Sequence, residues 1–132
     1  WLERVEIARD RIDDRPDTFS GGMRQRLQIA KNMVTRPRLV FMDEPTGGLD
    51  VSVQARLLDL IRGFVSGYGL AAVIVTHDLG EAVFFADRIL LLHEGRVVQD
   101  AAPGGLIERP ADAFAERFVR AQRSPLSRGD RA

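Results

Sequence analysis

The sequence LVFMDEP at residues 39–45 is an apolar run that ends in two adjacent carboxylates and a proline. The four apolar residues lack the polar alternation of a half-exposed strand, which indicates a strand buried on both faces. Such strands belong to parallel sheets, and open parallel sheets bind ligands where their strands end. Asp43 and Glu44 are therefore predicted to lie at a ligand-binding edge, although ordinary solvated acids at a strand end give the same pattern.

Two further runs, at residues 71–75 and 88–92, have the same character and are also predicted to be parallel core strands. Segments with helical spacing lie between and around them, at residues 27–34, 53–65 and 79–86. Because strands alternate with helices, the sequence predicts an α/β domain.

The ends of the first two helices carry their own signals. Pro37 is expected to end the first helix, and Asp50 or Ser52 is expected to cap the second. The run Ser-Gly-Tyr-Gly at residues 66–69 is expected to stop the second helix before the next strand.

The C-terminal part of the sequence predicts a hairpin and one more helix. Residues 93–98 have Gly95 at a turn position, and residues 113–123 have the spacing of an amphipathic helix. Residues 124–132 mix Arg, Ser, Pro, Gly and Asp and are predicted to form a disordered tail. We therefore expect one domain over residues 1–123.

Composition excludes several classes of protein. Acidic and basic residues balance at 19 each, so no overall field favours nucleic acid as a partner. There is no cysteine, which excludes disulfides and thiolate metal sites and is typical of a reducing cytoplasm. Charged residues or histidine interrupt every apolar run before it reaches the roughly 18 residues of a spanning helix, so we expect a soluble chain.

Three polar features could carry chemistry. Ser20, Gly21 and Gly22 stand immediately before a predicted helix, where free amides and the helix dipole favour an anion. Taken alone, this is also a common turn and cap. His77 follows the second apolar run at the same predicted edge as Asp43, but a lone histidine is more often structural. Asp50 alone would be a helix cap, and His93 in the hairpin is interpreted as structural.

The order and spacing of these segments resemble the ATP-binding cassette (ABC) ATPases. The resemblance rests on FSGGM at residues 19–23, LVFMDEPT at 39–46, GGLD at 47–50 and VTHD at 75–78. It implies the C-terminal part of an ABC-type phosphate-loop NTPase domain, with a parallel sheet flanked by helices. It also implies ATP hydrolysis, with ATP and Mg²⁺ as cofactors.

The resemblance assigns a role to each candidate residue. It implies that Ser20, Gly21 and Gly22 form the signature that contacts the γ-phosphate of ATP held by a second subunit. It further implies that Asp43 is the Walker B magnesium ligand and Glu44 the catalytic base. Asp50 then matches the D-loop aspartate and His77 the switch histidine, while Arg26 matches a structural position. Met23 departs from the usual signature glutamine.

Two subfamilies are suggested by different parts of the chain. Residues 1–79 are similar to the ATP-binding protein of phosphonate carbon–phosphorus lyase systems, on segments such as WLE at 1–3 and RIDD at 11–14. Residues 81–123 are more similar to ATPases of osmoprotectant (glycine betaine type) importers, on segments such as EGRVVQ at 94–99. The implied partners are a second ATP-binding subunit and either membrane permease subunits or a carbon–phosphorus lyase core complex. The implied location is cytoplasmic, at the inner face of the cell membrane when a permease is bound.

One family element is missing from this sequence. No Gly-x-x-x-x-Gly-Lys-Ser/Thr phosphate-binding loop occurs, so the backbone cradle and the phosphate lysine are absent. A complete cassette is expected to need about a hundred more residues upstream. We expect the isolated chain to be inactive, and a non-catalytic module that completes a partner's ATP site remains an alternative. The lack of any heptad run argues against the chromosome-maintenance ATPases.

Overall fold

The computed structural model describes residues 1–123, and these residues form two compact units. The first unit is Trp1–Val75, and the second begins at Thr76. Both contain helices and strands, which confirms the predicted α/β class. The predicted disordered tail, residues 124–132, lies outside the described residues.

The first unit is built on a two-stranded parallel sheet. Strand β1 (Leu39–Asp43) and strand β2 (Ala71–Val75) pair in parallel, and helix α2 (Val51–Tyr68) connects them. Helix α1 (Gly21–Met33) precedes β1. Two parallel strands need a crossover connection of this kind, so the alternation of strands and helices in the sequence predicts this topology.

One face of this sheet packs on the two helices. Val40 is buried, and Met42 on the same face lines a small apolar pocket with side chains of α1 and α2. The core of the unit consists of buried apolar side chains from α1, α2, β1 and the segments around them: Val5, Ile7, Phe19, Ile29, Ala30, Met33, Val40, Leu57, Ile61, Phe64 and Leu70.

The other face of the sheet is exposed. Phe41 is 70% exposed and Val73, its partner in the register, is 42% exposed; Leu39 and Val75 on the same face are also exposed. The prediction that these strands are buried on both faces is therefore wrong for the described residues, because only one face of the sheet is covered. Among residues 1–123 no third strand joins this sheet.

We expect this uncovered face to make the chain self-associate. Replacing Phe41 with Ser and Val73 with Thr should reduce self-association while changing the free energy of unfolding little, since exposed side chains contribute little to it. Sedimentation velocity over a range of concentrations measures the effect. Val40→Thr is the control on the buried face, and it should destabilise the chain instead. Unchanged association of the double variant would contradict the prediction.

The ends of both helices lie close to the expected ones. Helix α1 ends at Met33, four residues before Pro37, and Arg36 between them adopts a left-handed backbone (φ 51°). Helix α2 ends at Tyr68, inside the run that is expected to stop it, and Gly69 follows with a φ of 61°, which glycine adopts at no steric cost. Three short 3₁₀ turns before α1 were not predicted: Glu3–Val5, Arg9–Arg11 and Pro16–Thr18.

As far as residue 123, the second unit contains a hairpin and three helices. Helix α3 (Leu79–Phe85) is followed by strands β3 (Ile89–His93) and β4 (Arg96–Ala101), and then by helices α4 (Pro103–Glu108) and α5 (Ala113–Arg123). Its core is formed by five buried side chains: Leu79, Leu91, Leu106, Ala115 and Val119. Within residues 1–123, no helix is both long and apolar enough to cross a bilayer.

The hairpin confirms one prediction and corrects another. Gly95 lies at the turn with a φ of 73°, as expected. However, β3 pairs with β4 antiparallel and is not a parallel core strand, because a turn as short as Glu94-Gly95 can join only antiparallel strands. Arg88 and Asp100 form a bidentate ion pair across the hairpin, and the hydrogen bond from Arg88 lowers the pKa of Asp100 below its ordinary value.

Candidate functional site

Ser20 occupies the N-cap of helix α1. Its Oγ accepts a hydrogen bond from the Met23 amide at 3.3 Å, and its carbonyl accepts one from the Arg24 amide at 2.9 Å. Gly21 and Gly22 form the first turn of the helix, where amides have no carbonyl partner within the helix. Ser20 therefore caps helix α1, as the capping interpretation predicts. The free amides and the dipole at this end of the helix favour an anion.

Gly22 allows α1 to approach α2 closely. A Cβ built on Gly22 would lie 2.5 Å from Cγ1 of Val53, which is in the first turn of α2, and one built on Gly21 would lie 3.9 Å from Cδ2 of Leu49. The N-terminus of α1 is therefore packed against the loop and helix that follow β1.

Asp43 and Glu44 lie at the C-terminal end of β1, as predicted. Asp43 is the last residue of the strand and its side chain is exposed. Glu44 is half-buried and adopts a left-handed backbone with a φ of 44°, which is uncommon for a residue with a Cβ. Its amide donates to the Val75 carbonyl at 2.9 Å and its carbonyl accepts from the Gly47 amide at 3.0 Å.

Two glutamine side chains hold the turn that follows Glu44. The Nε2 of Gln25, in α1, donates to the Pro45 carbonyl at 2.8 Å. The Nε2 of Gln54, in α2, donates to the Thr46 carbonyl at 3.4 Å, and Thr46 itself is buried. Sequence reasoning missed both glutamines, because a side chain that bonds a backbone carbonyl far along the chain leaves no periodic signal.

Asp50 occupies the N-cap position of α2, but its side chain makes no capping hydrogen bond. Its carbonyl accepts from the amides of Val53 and Gln54, both at 2.9 Å. The prediction that Asp50 or Ser52 caps this helix is therefore confirmed for the position of Asp50, although without a side-chain hydrogen bond, whereas Ser52 lies inside the helix. The Asp50 carboxylate is exposed beside the loop that packs on α1.

His77 belongs to the second unit, where it lies in the turn before α3 and its side chain is exposed. The backbone around it is fixed on both sides. Thr76 Oγ1 accepts from the Asp78 amide at 3.1 Å and donates to Oε2 of the buried Glu81 at 2.8 Å. The Nε2 of Gln122, in α5, donates to the His77 carbonyl at 3.2 Å. Glu81 and Gln122 were not predicted.

His93 has a structural environment. Its ring stacks on Phe114 with the centroids 3.7 Å apart and an interplanar angle of 13°. This packing in the second unit agrees with the interpretation of His93 as structural.

The donor set fits a magnesium ion that is held mainly by water and phosphate. Within residues 1–123 no three His, Cys, Asp or Glu side chains cluster as a complete metal site. Mg²⁺ usually keeps several waters and takes one or two carboxylates together with phosphate oxygens. The single exposed carboxylate of Asp43, at the ligand-binding edge of a parallel sheet, matches that requirement.

Comparisons with known proteins agree with this geometry. The sequence model of the ABC transporter family matches residues 1–47. The structure of the ATP-binding cassette MJ0796, in a dimeric post-hydrolysis state with ADP and Pi, superposes with a TM-score of 0.67 and 29% identity, covering 77% of this chain and 44% of that one. Residues 1–47 thus match the ABC transporter family, and the chain resembles ATP-binding cassette ATPases in fold.

Among individual relatives, the chain is similar to PhnK of Escherichia coli (strain K12), an ATP-binding protein named for phosphonates utilization. The two are 60% identical over 119 residues, which are 90% of this chain and 47% of PhnK, so the similarity continues past residue 79. The aliphatic sulfonates import ATP-binding protein SsuB of Ralstonia nicotianae (strain ATCC BAA-1114 / GMI1000) is 40% identical over 127 residues, 96% of this chain and 44% of SsuB. The chain thus spans about half the length of the curated relatives it matches.

Proposed function

We propose that this chain supplies the signature and hydrolytic segments of an ABC ATP-binding subunit. Asp43 holds Mg²⁺, Glu44 is the catalytic base and His77 contacts the γ-phosphate. Ser20, Gly21 and Gly22 face the ATP of a second subunit, and Asp50 is the D-loop aspartate in the loop that follows β1. The similarity to ATP-binding cassettes supports ATP as the nucleotide.

The observation that carries this proposal is the backbone of Glu44. A left-handed glutamate is strained, and strain of this kind persists only where neighbouring contacts fix it. Here the turn is fixed through Glu44, Pro45 and Thr46, at the sheet edge where ligands bind. Glu6, Arg36 and Glu94 also have a left-handed backbone, so what distinguishes Glu44 is that its restrained turn directly follows Asp43 at the end of a parallel strand.

The proposed chemistry follows from these positions. Bound Mg²⁺ would neutralise charge on the phosphate oxygens. Glu44, adjacent to the metal ligand, orients the attacking water and accepts its proton, which is the work of a general base. The amides at the start of α1 favour negative charge, which suits the γ-phosphate of a nucleotide presented by the partner subunit.

The system that this subunit serves is proposed from the relatives. The similarity to PhnK supports phosphonate utilization, with a carbon–phosphorus lyase core or permease subunits as partners. The similarity to SsuB supports an importer, for which permease subunits would be the partners. In either case we propose a cytoplasmic location and a second ATP-binding subunit, for which the dimeric state of MJ0796 is a precedent.

We expect the isolated chain to bind Mg-ATP weakly or not at all, because a signature helix and a Walker B strand provide only part of a phosphate site. Calorimetric titration of the purified chain measures this. Micromolar affinity would show that residues 1–132 hold a complete site. A second candidate function is a non-catalytic module that completes a partner's ATP site, and an isolated chain that binds no Mg-ATP is expected for both candidates.

Variants of the two histidines distinguish the catalytic proposal from the non-catalytic alternative. In a protein that joins this chain to a phosphate-binding loop, His77→Ala should slow steady-state phosphate release by about 10²-fold if it stabilises charge in the transition state. His93→Ala is the matched control and should have little effect, because His93 stacks on Phe114. Equal rates for the two variants would rule out the role given to His77.

A further inference from the structure

Gln25 is the side chain through which the signature helix reaches the turn of Glu44. It lies within one and a half turns of Ser20 on helix α1, and its amide is partly buried against the Pro45 carbonyl at 2.8 Å. Pro45 directly follows Glu44. Helix α1 therefore has two roles in the proposal. Its N-terminal end presents the residues that face the partner's nucleotide, and Gln25, further along the same helix, donates the hydrogen bond that holds the turn after Glu44.

The turn depends on contacts of this kind. Glu44 has a left-handed backbone that a residue with a Cβ adopts at a cost in energy. The Glu44 amide and carbonyl are bonded to Val75 and Gly47, but the next carbonyl, that of Pro45, has its hydrogen bond from a different element. That bond fixes the direction of the chain just beyond Glu44.

We propose that Gln25 is a positioning residue for Glu44. Through Gln25, the position of the signature helix α1 is coupled to the position of the catalytic base in the same subunit. The inference rests on the proposed function for the role of Glu44. Its physical basis is the direct hydrogen bond from α1, together with the contact between Gly22 and Val53 that seats the start of α1 against α2. A shift of α1 would be transmitted to the turn through these two contacts.

The variant Gln25→Glu tests the hydrogen bond at constant size, because it replaces the donor with an acceptor that the Pro45 carbonyl repels. Gln28→Glu adds the same charge to an exposed position on the same helix and is the matched control. Gln25→Leu removes the donor without adding charge and serves if Gln25→Glu does not fold.

The first readout is hydrogen exchange of the Glu44 and Gly47 amides in this chain, measured by NMR. Exchange should become about 10-fold faster in the Gln25 variants and stay unchanged in Gln28→Glu, since the turn loses a hydrogen bond. Unchanged exchange in both Gln25 variants would overturn the proposal.

The second readout is hydrolysis by a protein that joins this chain to a phosphate-binding loop. Gln25→Glu should lower kcat by about 10-fold to 10²-fold with KM for ATP unchanged, because a misplaced base affects the chemical step and not binding. A normal kcat in that variant, when Glu44→Gln is inactive, would also overturn the proposal. Wild-type hydrolysis by Glu44→Gln would instead refute the proposed function. The hydrogen-exchange measurement does not depend on the role of Glu44, so it distinguishes failure of the Gln25 proposal from failure of the proposed function.

Discussion

Glu44→Gln should lower ATP hydrolysis by roughly 10²-fold or more in a protein that joins this chain to a phosphate-binding loop. Glutamine keeps the shape of the side chain but cannot accept a proton from water. Binding of ATP should survive, because Asp43 and the signature residues are unchanged. With ATP bound but not hydrolysed, the two subunits should stay associated longer. Steady-state phosphate release and size-exclusion chromatography with ATP measure both effects.

Glu94→Gln is a matched control for this experiment. Glu94 also has a left-handed backbone, with a φ of 47°, but it lies in the hairpin turn of the second unit and has no proposed contact with phosphate. It should leave hydrolysis unchanged. The role assigned to Glu44 is wrong if Glu44→Gln hydrolyses at the wild-type rate, or if it loses ATP binding outright.

The strands and helices of the first unit were predictable because their signals are local. The apolar runs at residues 39–42 and 71–75 and the helical spacing between them lie in the sequence itself, and the observed β1, α2 and β2 follow them within a residue or a few. The run at residues 88–92 was assigned the wrong pairing, although the hairpin turn beside it had been predicted. Leu90 and Leu92 there are exposed, so apolar composition alone did not indicate a strand buried on both faces.

The positions of the candidate site residues were predictable, but the contacts that hold them were not. Asp43 and Glu44 were expected at a strand end because parallel strands end at the ligand edge. The backbone of Glu44 was not expected, since its φ depends on bonds to Val75 and Gly47 that only the folded chain brings together. Gln25 is twenty residues from Pro45, and no spacing rule connects a side chain to a carbonyl at that distance.

Gly22→Ala should lower the free energy of unfolding of the chain by about 1–3 kcal/mol, the usual effect of overpacking a filled contact. The added methyl would lie 2.5 Å from Cγ1 of Val53, and a β-branched side chain in a helix has one strongly preferred rotamer, so Val53 cannot easily turn away. Urea unfolding of the purified variant measures the loss.

Two further variants show whether that contact is the cause. Gly63→Ala places the same methyl at an exposed position within α2 where a Cβ would meet no atom within 4 Å, so it should stabilise the chain by about 0.5–1 kcal/mol. Val53→Ala combined with Gly22→Ala should recover most of the lost stability, because the shortened side chain leaves room for the methyl. If Gly22→Ala were as stable as Gly63→Ala, the start of α1 would not be packed on α2, and the coupling proposed through Gln25 would lose one of its two contacts.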